Sequence, residues 1–495
     1  MRHRFIPQMS IGAVGIADIE FNITSRHELV PILMALQHLY VDARPQLDQI
    51  LELIRSDILQ GQRNNRGCTG LSYWEILVLA SLRLGCDLDF DQLADLASDH
   101  RKVQEMMGRA YWEKKYYGRS TVHDNLSQLS ATTIKAISDI IVAVGHQLVE
   151  EPVKRVRGDS YVLKKNIHYP TDCNLLYDGA RKCLQGAVKI ATEHDIGGWR
   201  QHDSLLRKIR MVKNKIIKVA RSRKADKESK LKKLYGEIIA RSQVIVDKTL
   251  VTMHAVEQKL VAENGLIPPY WHNRLSELQY FIAGTEYIAE LARRRVLNGE
   301  SLANPEKVFS LFEPDTELIN RGKQPYPIEF GHRVLIIQDS AGFIIDSHVL
   351  DVGFTDEKII VDVMRNLQQR FNGHIQAASF DKGFWTPNNL KELSEFIPLT
   401  VLPKKGKRSE VDRQREQSKE FLTVRKWHSG IESAIHALGA GNGLTRCRDK
   451  GHSGYKRYFA MGVLGRNLHC LGNILLENER KKRKSDALLA LSMQQ

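Results

Sequence analysis

The sequence IQAASFDKGF, residues 375–384, predicts a buried β-strand over Ile375–Phe380 that ends directly at Asp381. A short run of this kind, bounded by a turn residue such as Gly383, is typical of a strand inside an α/β sheet. A second run, 397–402, predicts another buried strand. Sites in open α/β sheets form beyond the carboxyl ends of the strands, so Asp381 is a candidate functional residue.

Extended segments upstream of these two strands predict the rest of the sheet. Residues 155–163 predict a first strand that carries Asp159, and residues 166–169 predict a second extended piece. The apolar runs 334–337 and 343–345, joined by a turn that contains glycine, predict a β-hairpin. The expected fold class is therefore α/β, with a mixed sheet flanked by helices.

Helical periodicity dominates the regions around the strands. Residues 70–150 predict a small bundle, in which Ser72 is expected to open a helix that ends near Gly85. Two further helices are predicted over 356–371 and 417–438. The chain is thus expected to combine an α/β core with helical additions.

The segment 205–233 is strongly basic, with 13 Lys and Arg against two acidic residues. Its apolar residues follow a 4-3-4-3 spacing, which predicts one long, coiled-coil-like helix with a basic outer face. Such a face is often only solvated, but this density of charge favours a surface that binds DNA phosphates. The apolar positions are Leu205, Ile209, Val212, Ile216 and Val219.

The whole chain has 495 residues, and 73 Lys and Arg against 58 Asp and Glu give a net charge of +15. This excess suits a polyanionic partner, although a basic protein surface without such a partner would give the same value. No apolar run approaches the roughly 18 residues of a membrane-spanning helix. Six scattered cysteines without a CxxC pair indicate neither a zinc ribbon nor a disulfide framework. We expect a reduced, cytoplasmic protein that does not engage membranes.

Three acidic residues, Asp159, Asp381 and Glu432, lie where an α/β core would present them together. Glu432 lies at the edge of the apolar stripe of its predicted helix and can face the sheet. Three convergent carboxylates can hold two Mg²⁺ ions, which prefer oxygen ligands and can promote in-line phosphoryl transfer. Spacing alone leaves four competitors, each more typical of a cap, turn or surface position: Asp172, Asp178, Asp339 and Asp351.

Five ordered motifs resemble those of bacterial insertion-sequence transposases, and most closely those of the ISNCY family of DDE transposases. The motifs are RVRGDSYV at 155–162, NIHYPTD at 166–172, SFDKGF at 379–384, LPKKGK at 402–407 and HSGIESAI at 428–435. The resemblance covers nearly the whole chain, as far as GRNL at 465–468. Five motifs in this order are a specific signal, whereas any one alone would be weak.

The resemblance implies a ribonuclease-H-like catalytic core with a metal-binding triad of Asp159, Asp381 and Glu432. Two Mg²⁺ ions would occupy each site, and Mn²⁺ would substitute for them. The implied activity is cleavage at the terminal inverted repeats of an element and transfer of the 3′-hydroxyl ends into target DNA. A homodimer or larger synaptic complex in the bacterial nucleoid is implied as well.

The same resemblance, with the helical patterns, divides the chain into six regions. The long interval between Asp159 and Asp381 is expected to hold a helical insertion. The regions are an N-terminal leader with helices (1–60), a helical DNA-binding domain (61–150), the first core strands (155–177), a basic helical insertion (178–300), the remaining catalytic core (301–440) and a C-terminal helical tail (441–495).

Basic residues near the motifs are the candidate DNA contacts, although cations beside acidic residues can also merely balance charge. A recognition helix capped by Ser or Thr is expected from Ser120, with a plain helical hairpin as the alternative. Related transposases often carry Tyr, Arg and Lys where this chain has Arg425, His428 and Gly439, which leaves those DNA-contacting roles open. The candidates are Arg119, Lys213, Lys382, Lys404, Lys405, Lys407, Arg425 and His428.

Two other functions stay open. The chain could be a DNA-binding regulator with a repurposed catalytic fold, or a metal-dependent DNA nuclease without strand transfer. The complete triad favours the transposase over the regulator. A zinc site formed by His428, Glu432 and His436 is disfavoured, because the HExxH pattern is absent.

Overall fold

The computed structural model describes residues 2–5, 11–61, 70–322 and 327–492. Cys68, one of the six cysteines counted above, lies outside these ranges. The chain divides into two compact units. Unit 1 comprises Met1–Asn166 together with Gly331–Gln495, and unit 2 comprises Ile167–Phe330.

Unit 1 begins with helices α1 (Leu29–Val41), α2 (Arg44–Gly61), α3 (Tyr73–Gly85), α4 (Phe90–Asp99), α5 (Arg101–Met106), α6 (Arg119–Leu126) and α7 (Ala131–His146). Local capping sets the start of α3. The Ser72 hydroxyl accepts a hydrogen bond from Glu75 N at 3.2 Å, and the Glu75 carboxylate accepts one from Ser72 N at 2.8 Å. The helix predicted between Ser72 and Gly85 is therefore confirmed.

Unit 2 contains helices α8 (Asp172–Glu193), α9 (His202–Ala220), α10 (Lys227–Asn264) and α11 (Pro269–Ala292), followed by a π-helical turn, Arg293–Leu297. The predicted stripe on α9 is confirmed, since Ile209, Val212 and Ile216 are buried in the core of this unit. The prediction of one helix over 205–233 is wrong, because α9 ends before α10 begins. Between Val219 and Leu231 no apolar side chain exceeds alanine, so little holds a continuous helix onto the core.

The strands are β1 (Arg155–Lys164), β2 (Glu317–Asn320), β3 (Ile328–Asp339), β4 (Ile344–Val349), β5 (Ala377–Phe380) and β6 (Leu399–Val401). β1 pairs antiparallel with β3 and parallel with β5, while β4 extends the sheet beyond β3 and β6 extends it beyond β5. The predicted hairpin and the two buried strands are confirmed. The fold is mixed α/β, a mixed sheet with helices on its flanks.

The extended piece predicted over 166–169 is not a strand. These residues lead instead into the start of α8. The Thr171 hydroxyl accepts a hydrogen bond from Asn174 N, and the Asn174 side chain donates to Tyr169 O at 3.1 Å. The segment therefore connects the first strand to α8 and is not part of the sheet.

Helices α12 (Asp356–Arg370), α13 (Pro387–Phe396), α14 (Glu410–Gln417), α15 (Lys419–His428) and α16 (Gly430–Gly441) follow the hairpin and the parallel strands. The predicted helix over 356–371 is confirmed. The single helix predicted over 417–438 is wrong, because the chain breaks it at Ser429. Within unit 1, α15 packs on β5 and β6, and α16 packs on β1.

The last helix, α17 (Gly451–Ser492), packs against α1, α3 and α7. The Asn467 side chain, which is fully buried, donates to Ser138 Oγ and to Ile344 O, both at 2.9 Å. At Gly465 a Cβ would lie 2.7 Å from Gly85 N, so only glycine permits this close approach. The segment expected as a C-terminal tail therefore shares one hydrophobic core with the N-terminal helices and the sheet.

Among the described residues no single helix is both long and apolar enough to cross a membrane. Within the described ranges one pair of helices, α6 and α7, passes that test of length and composition together, with a bend of 82° between them.

Candidate active site

Two of the three predicted carboxylates lie side by side at the end of the parallel strands. In the register of β1 and β5, Arg157 is opposite Ser379 and Gly158 is opposite Phe380. The next position on each chain is Asp159 and Asp381, respectively. Neighbouring strands lie about 4.8 Å apart, so the two backbones present these carboxylates at adjacent positions.

Each of these carboxylates also accepts a hydrogen bond from the next residue along the chain. Asp381 Oδ1 accepts from Lys382 N at 2.7 Å, and Asp159 Oδ1 accepts from Ser160 N at 2.7 Å. Asp381 is exposed, whereas Asp159 is partly buried. The bond from the following N–H restricts the rotation of each carboxylate.

Arg157 of β1 fixes the break between α15 and α16. Its guanidinium donates to Trp427 O at 2.6 Å and to Gln338 Oε1 at 2.7 Å, and it lies 4.5 Å from the centre of the Trp427 ring. At Gly430 a Cβ would lie 2.2 Å from Arg157 Nη1, so a larger residue would displace the guanidinium. The end of α15 and the start of α16 are thereby held against β1.

His428, the last residue of α15, lies beside Asp381. Burial lowers the pKa of His428, while the negative charge of Asp381 and a hydrogen bond to the Ser379 backbone act in the opposite direction and Arg157 lowers it further. Its Nδ1 is buried and has no hydrogen-bond partner among the described residues. The site therefore contains a neutral imidazole with one unused nitrogen.

Glu432 is exposed in the first turn of α16. Within the described part of the chain, the carboxylate oxygens of Asp159, Asp381 and Glu432 do not all lie within 4.8 Å of one another. A two-ion centre does not require this, because Mg²⁺ usually takes one or two carboxylates and keeps several waters. Carboxylate oxygens such as those of the adjacent Asp159 and Asp381 suit Mg²⁺ or Mn²⁺.

A fourth carboxylate, Asp356 at the start of α12, belongs to this site and was missed from the sequence. It hydrogen-bonds to Ser160 and lies 3.8 Å from Arg333 Nη1. Burial raises the pKa of Asp356; Ser160 and Arg333 lower it, and the charge of Asp381 raises it again. Its Oδ1 is buried without a partner in the described chain. In the sequence it resembles the ordinary acidic first turn of a helix.

The predicted DNA contacts near this site differ in their surroundings. Lys382 and Arg425 are exposed, as are Lys405 and Lys407 in the loop between β6 and α14. Lys404 instead pairs with Asp412 of α14. The loop is therefore basic at its tip and neutralised at its base.

The two remaining predicted contacts lie elsewhere. Arg119 is exposed at the start of α6 and lies 3.3 Å from Asp91, while Lys213 of unit 2 lies 4.4 Å from the centre of the Tyr177 ring. The prediction that a Ser or Thr caps the helix at Ser120 is wrong. Gly118 is the N-cap residue of α6 and makes no side-chain capping bond.

The four competing aspartates all have basic partners within their own unit. Asp172 pairs with Arg295, Asp178 with His168, Asp339 with His146 at 2.7 Å, and Asp351 with Lys456. These ion pairs favour structural or surface roles for them. The predicted His436 is exposed on α16.

The site thus combines oxygen donors for a divalent cation, a neutral imidazole and exposed cations that can bind phosphate. Such a set can hold a phosphodiester next to a metal-activated nucleophile. Comparisons of the chain with protein-family models, curated proteins and solved structures give no match.

Proposed function

We propose that this chain is the DDE-type DNA transposase of an insertion sequence, and that the sheet of unit 1 with its helices is a ribonuclease-H-like catalytic core. The proposal rests on one observation, which is that residues of three sequence motifs lie close together in unit 1. The first contains Arg157 and Asp159, the third contains Asp381, and the fifth contains His428 and Glu432. Asp159 and Asp381 thus lie at adjacent positions, and Arg157 contacts the end of α15 that leads to Glu432, although these residues are more than 200 positions apart in the chain.

In the proposed mechanism the carboxylates of Asp159, Asp381 and Glu432 would hold two Mg²⁺ or Mn²⁺ ions. Bound ions of this kind activate a water or a 3′-hydroxyl and stabilise the leaving oxygen. His428, kept neutral by burial, donates or accepts one hydrogen bond beside Asp381. Lys382 contacts the phosphates that flank the scissile bond.

The proposed partners are the terminal inverted repeats of the element and its target DNA. Both ends must be joined together, so the active species would be a homodimer or a larger synaptic complex. The exposed Lys405, Lys407 and Arg425 are available to such DNA. A cytoplasmic, nucleoid-associated location in a bacterium accords with these partners.

The test uses the full-length protein, Mg²⁺ or Mn²⁺, and a labelled duplex that carries the DNA ends flanking the gene. Glu432→Gln should remove cleavage and strand transfer but leave binding to the ends nearly intact, because it deletes a metal ligand and no basic residue. Glu420→Gln is the matched control, since Glu420 is exposed on α15 and the change removes the same charge.

The possible outcomes separate the three functions. Products that need metal and Glu432, including joined strands, would establish the transposase. Cleavage without joining would indicate the nuclease, and tight binding without any product would indicate the regulator. Equal loss of binding and cleavage in Glu432→Gln would show that Glu432 is not a metal ligand.

A further inference from the structure

His428 lies on the same face of the sheet as the carboxylate of Asp381. Ala377 of β5 belongs to a small apolar cluster with two residues of α15, so α15 covers the face to which Ala377 points. Alternate residues of an extended chain point to one face, and Asp381 continues the extended backbone of β5. Ala377, Ser379 and Asp381 therefore share the face that α15 covers, and His428 is the last residue of α15.

The imidazole of His428 has one nitrogen that can accept a hydrogen bond but cannot donate one. Burial lowers the pKa of His428, so the ring is neutral and carries a single N–H. The hydrogen bond to the Ser379 backbone raises this pKa, as donation to a carbonyl oxygen does, so the N–H is used there. The other nitrogen keeps a lone pair, and the buried Nδ1 has no hydrogen-bond partner among the described residues.

The chemistry of this lone pair selects a cation as its partner. A buried acceptor without a donor is unfavourable, so an added group that attracts electrons would stabilise it. A phosphate oxygen does not fit, because it is an acceptor as well; the exposed ammonium of Lys382 suits phosphate better. A divalent cation fits both the lone pair and the negative charge of Asp381, which acts on the same imidazole.

We propose, on the basis of the function proposed above, that His428 is a nitrogen ligand of the divalent cation that Asp381 would hold. The fifth motif would then supply a ligand from the end of α15 in addition to Glu432 of α16. Mg²⁺ prefers oxygen ligands, whereas first-row transition ions such as Mn²⁺ accept imidazole nitrogen more readily. The site should therefore bind Mn²⁺ more tightly than Mg²⁺, and His428 should contribute to that difference.

The test uses the full-length protein loaded with Mn²⁺ and measures electron spin-echo envelope modulation, which detects nitrogen nuclei bound to the ion. Wild-type protein should show nitrogen modulation, and labelling its histidines with nitrogen-15 should change that signal without any substitution. His428→Gln should lose the modulation while it still binds Mn²⁺ through carboxylates. His436→Gln is the matched control, since His436 is exposed on α16, and it should give the wild-type signal.

Two affinities distinguish a metal ligand from a phosphate contact. In the absence of metal, His428→Gln should bind the DNA ends as tightly as wild type, because the change removes no group that donates to phosphate. The affinity of this variant for Mn²⁺ should fall about tenfold, and its affinity for Mg²⁺ should fall less. The electron paramagnetic resonance signal of free Mn²⁺ measures the first metal affinity, and competition by Mg²⁺ measures the second.

The possible failures separate this inference from the proposed function. Nitrogen modulation that persists in His428→Gln, or its absence in wild type with bound Mn²⁺, would overturn only the role of His428. Weaker DNA binding of His428→Gln without metal, at unchanged Mn²⁺ affinity, would make His428 a phosphate contact. Wild type that binds no Mn²⁺, or Asp381→Asn that binds Mn²⁺ as tightly as wild type, would overturn the metal site of the proposed function too.

Discussion

Two places in unit 1 contain buried or clustered carboxylates in different surroundings: Glu75 in the helical part and the candidate active site at the sheet. Glu75 is 3% exposed, and its oxygens bind Ser72, Arg109 and Tyr117. At the candidate active site Asp381 is exposed, and Asp356 keeps a buried oxygen without a partner in the described chain. Both oxygens of the Glu75 carboxylate have partners within the protein, whereas one buried oxygen of Asp356 accepts no hydrogen bond from the described residues.

The pKa values of Glu75 and Asp356 shift in opposite directions. Burial alone raises the pKa of Glu75, but Lys115, the Ser72 backbone, Arg109 and Tyr117 together lower it to about 2. Burial raises the pKa of Asp356, and its partners do not reverse this. A buried carboxylate with several partners, such as Glu75, contributes to stability. Carboxylates whose charges raise each other's pKa, as Asp381 does for Asp356, suit an added cation.

The largest expected effect is that of Asp381→Asn. Cleavage in Mg²⁺ should fall on the order of a thousandfold, because a ligand that acts as part of a unit is removed. Stability should change by less than about 0.5 kcal/mol, as at other exposed positions. Single-turnover cleavage and urea unfolding measure the two effects. Asp362→Asn, an exposed change on α12, is the control, and a large loss of stability in Asp381→Asn would make that residue structural.

The opposite result is expected for Glu75→Gln. The change removes the more buried of the two anions that Arg109 contacts, so the free energy of unfolding should fall by about 3 kcal/mol. Equilibrium urea unfolding measures it. Glu113→Gln, which removes the other partner of Arg109 at a more exposed position, should cost less. Equal losses in the two variants would contradict the central role of Glu75.

The pH dependence of stability should follow Glu75. Its pKa is lower in the folded protein than the ordinary value of 4.5, so its contribution is fully present above pH 4.5 and is lost as pH falls toward 2. Wild type should lose stability over this range more steeply than Glu75→Gln. Thermal unfolding at a series of pH values measures this, and parallel curves would show that other groups carry the acid dependence.

Arg157→Lys should have a smaller, intermediate effect. Lysine keeps the charge but cannot bridge Trp427 O and Gln338 Oε1 with one planar group. Cleavage should fall about tenfold, as for residues that orient metal ligands, and the Mg²⁺ concentration for half-maximal rate should rise. Arg155→Lys, on the same strand, is the control. A lower rate without any change in metal dependence would place the effect outside the metal site.

The smallest effect concerns the basic face of α9. Replacing the exposed Arg207, Lys208 and Lys215 with Gln should weaken DNA binding and reduce the slope of affinity against salt by about one for each phosphate that is no longer bound. Binding isotherms at several salt concentrations measure the slope. Lys213→Gln should change it less, because Lys213 lies over Tyr177. An unchanged slope would show that the face is only solvated.

Sequence patterns predict those secondary-structure elements that depend on interactions between neighbouring residues. The Ser72 cap, the hairpin and the buried positions of α9 follow from spacing and capping that operate within a few residues. The break between α15 and α16 is not predicted, because it lies where residues far apart in the sequence interact. No periodicity indicates the break at Ser429, where the Arg157 guanidinium donates to Trp427 O.

The candidate site was predictable in part for the same reason. The motifs predict three carboxylates, Asp159, Asp381 and Glu432. An aspartate that directly follows a strand is expected at the end of the sheet. Asp356 gave no signal, because only the packing of α12 brings it to Ser160 and Asp381.

By itself the sequence determined the hairpin, the strands β1, β5 and β6, the starts of α3 and α12, the basic charge and the acidic residues worth testing, because these depend on neighbours along the chain. The tertiary structure decided which distant residues share a site and that the two ends of the chain share one core. It also decided which carboxylates are compensated. Burial and partner geometry set the energy of a charge, and both come from interactions between segments that lie far apart in the sequence.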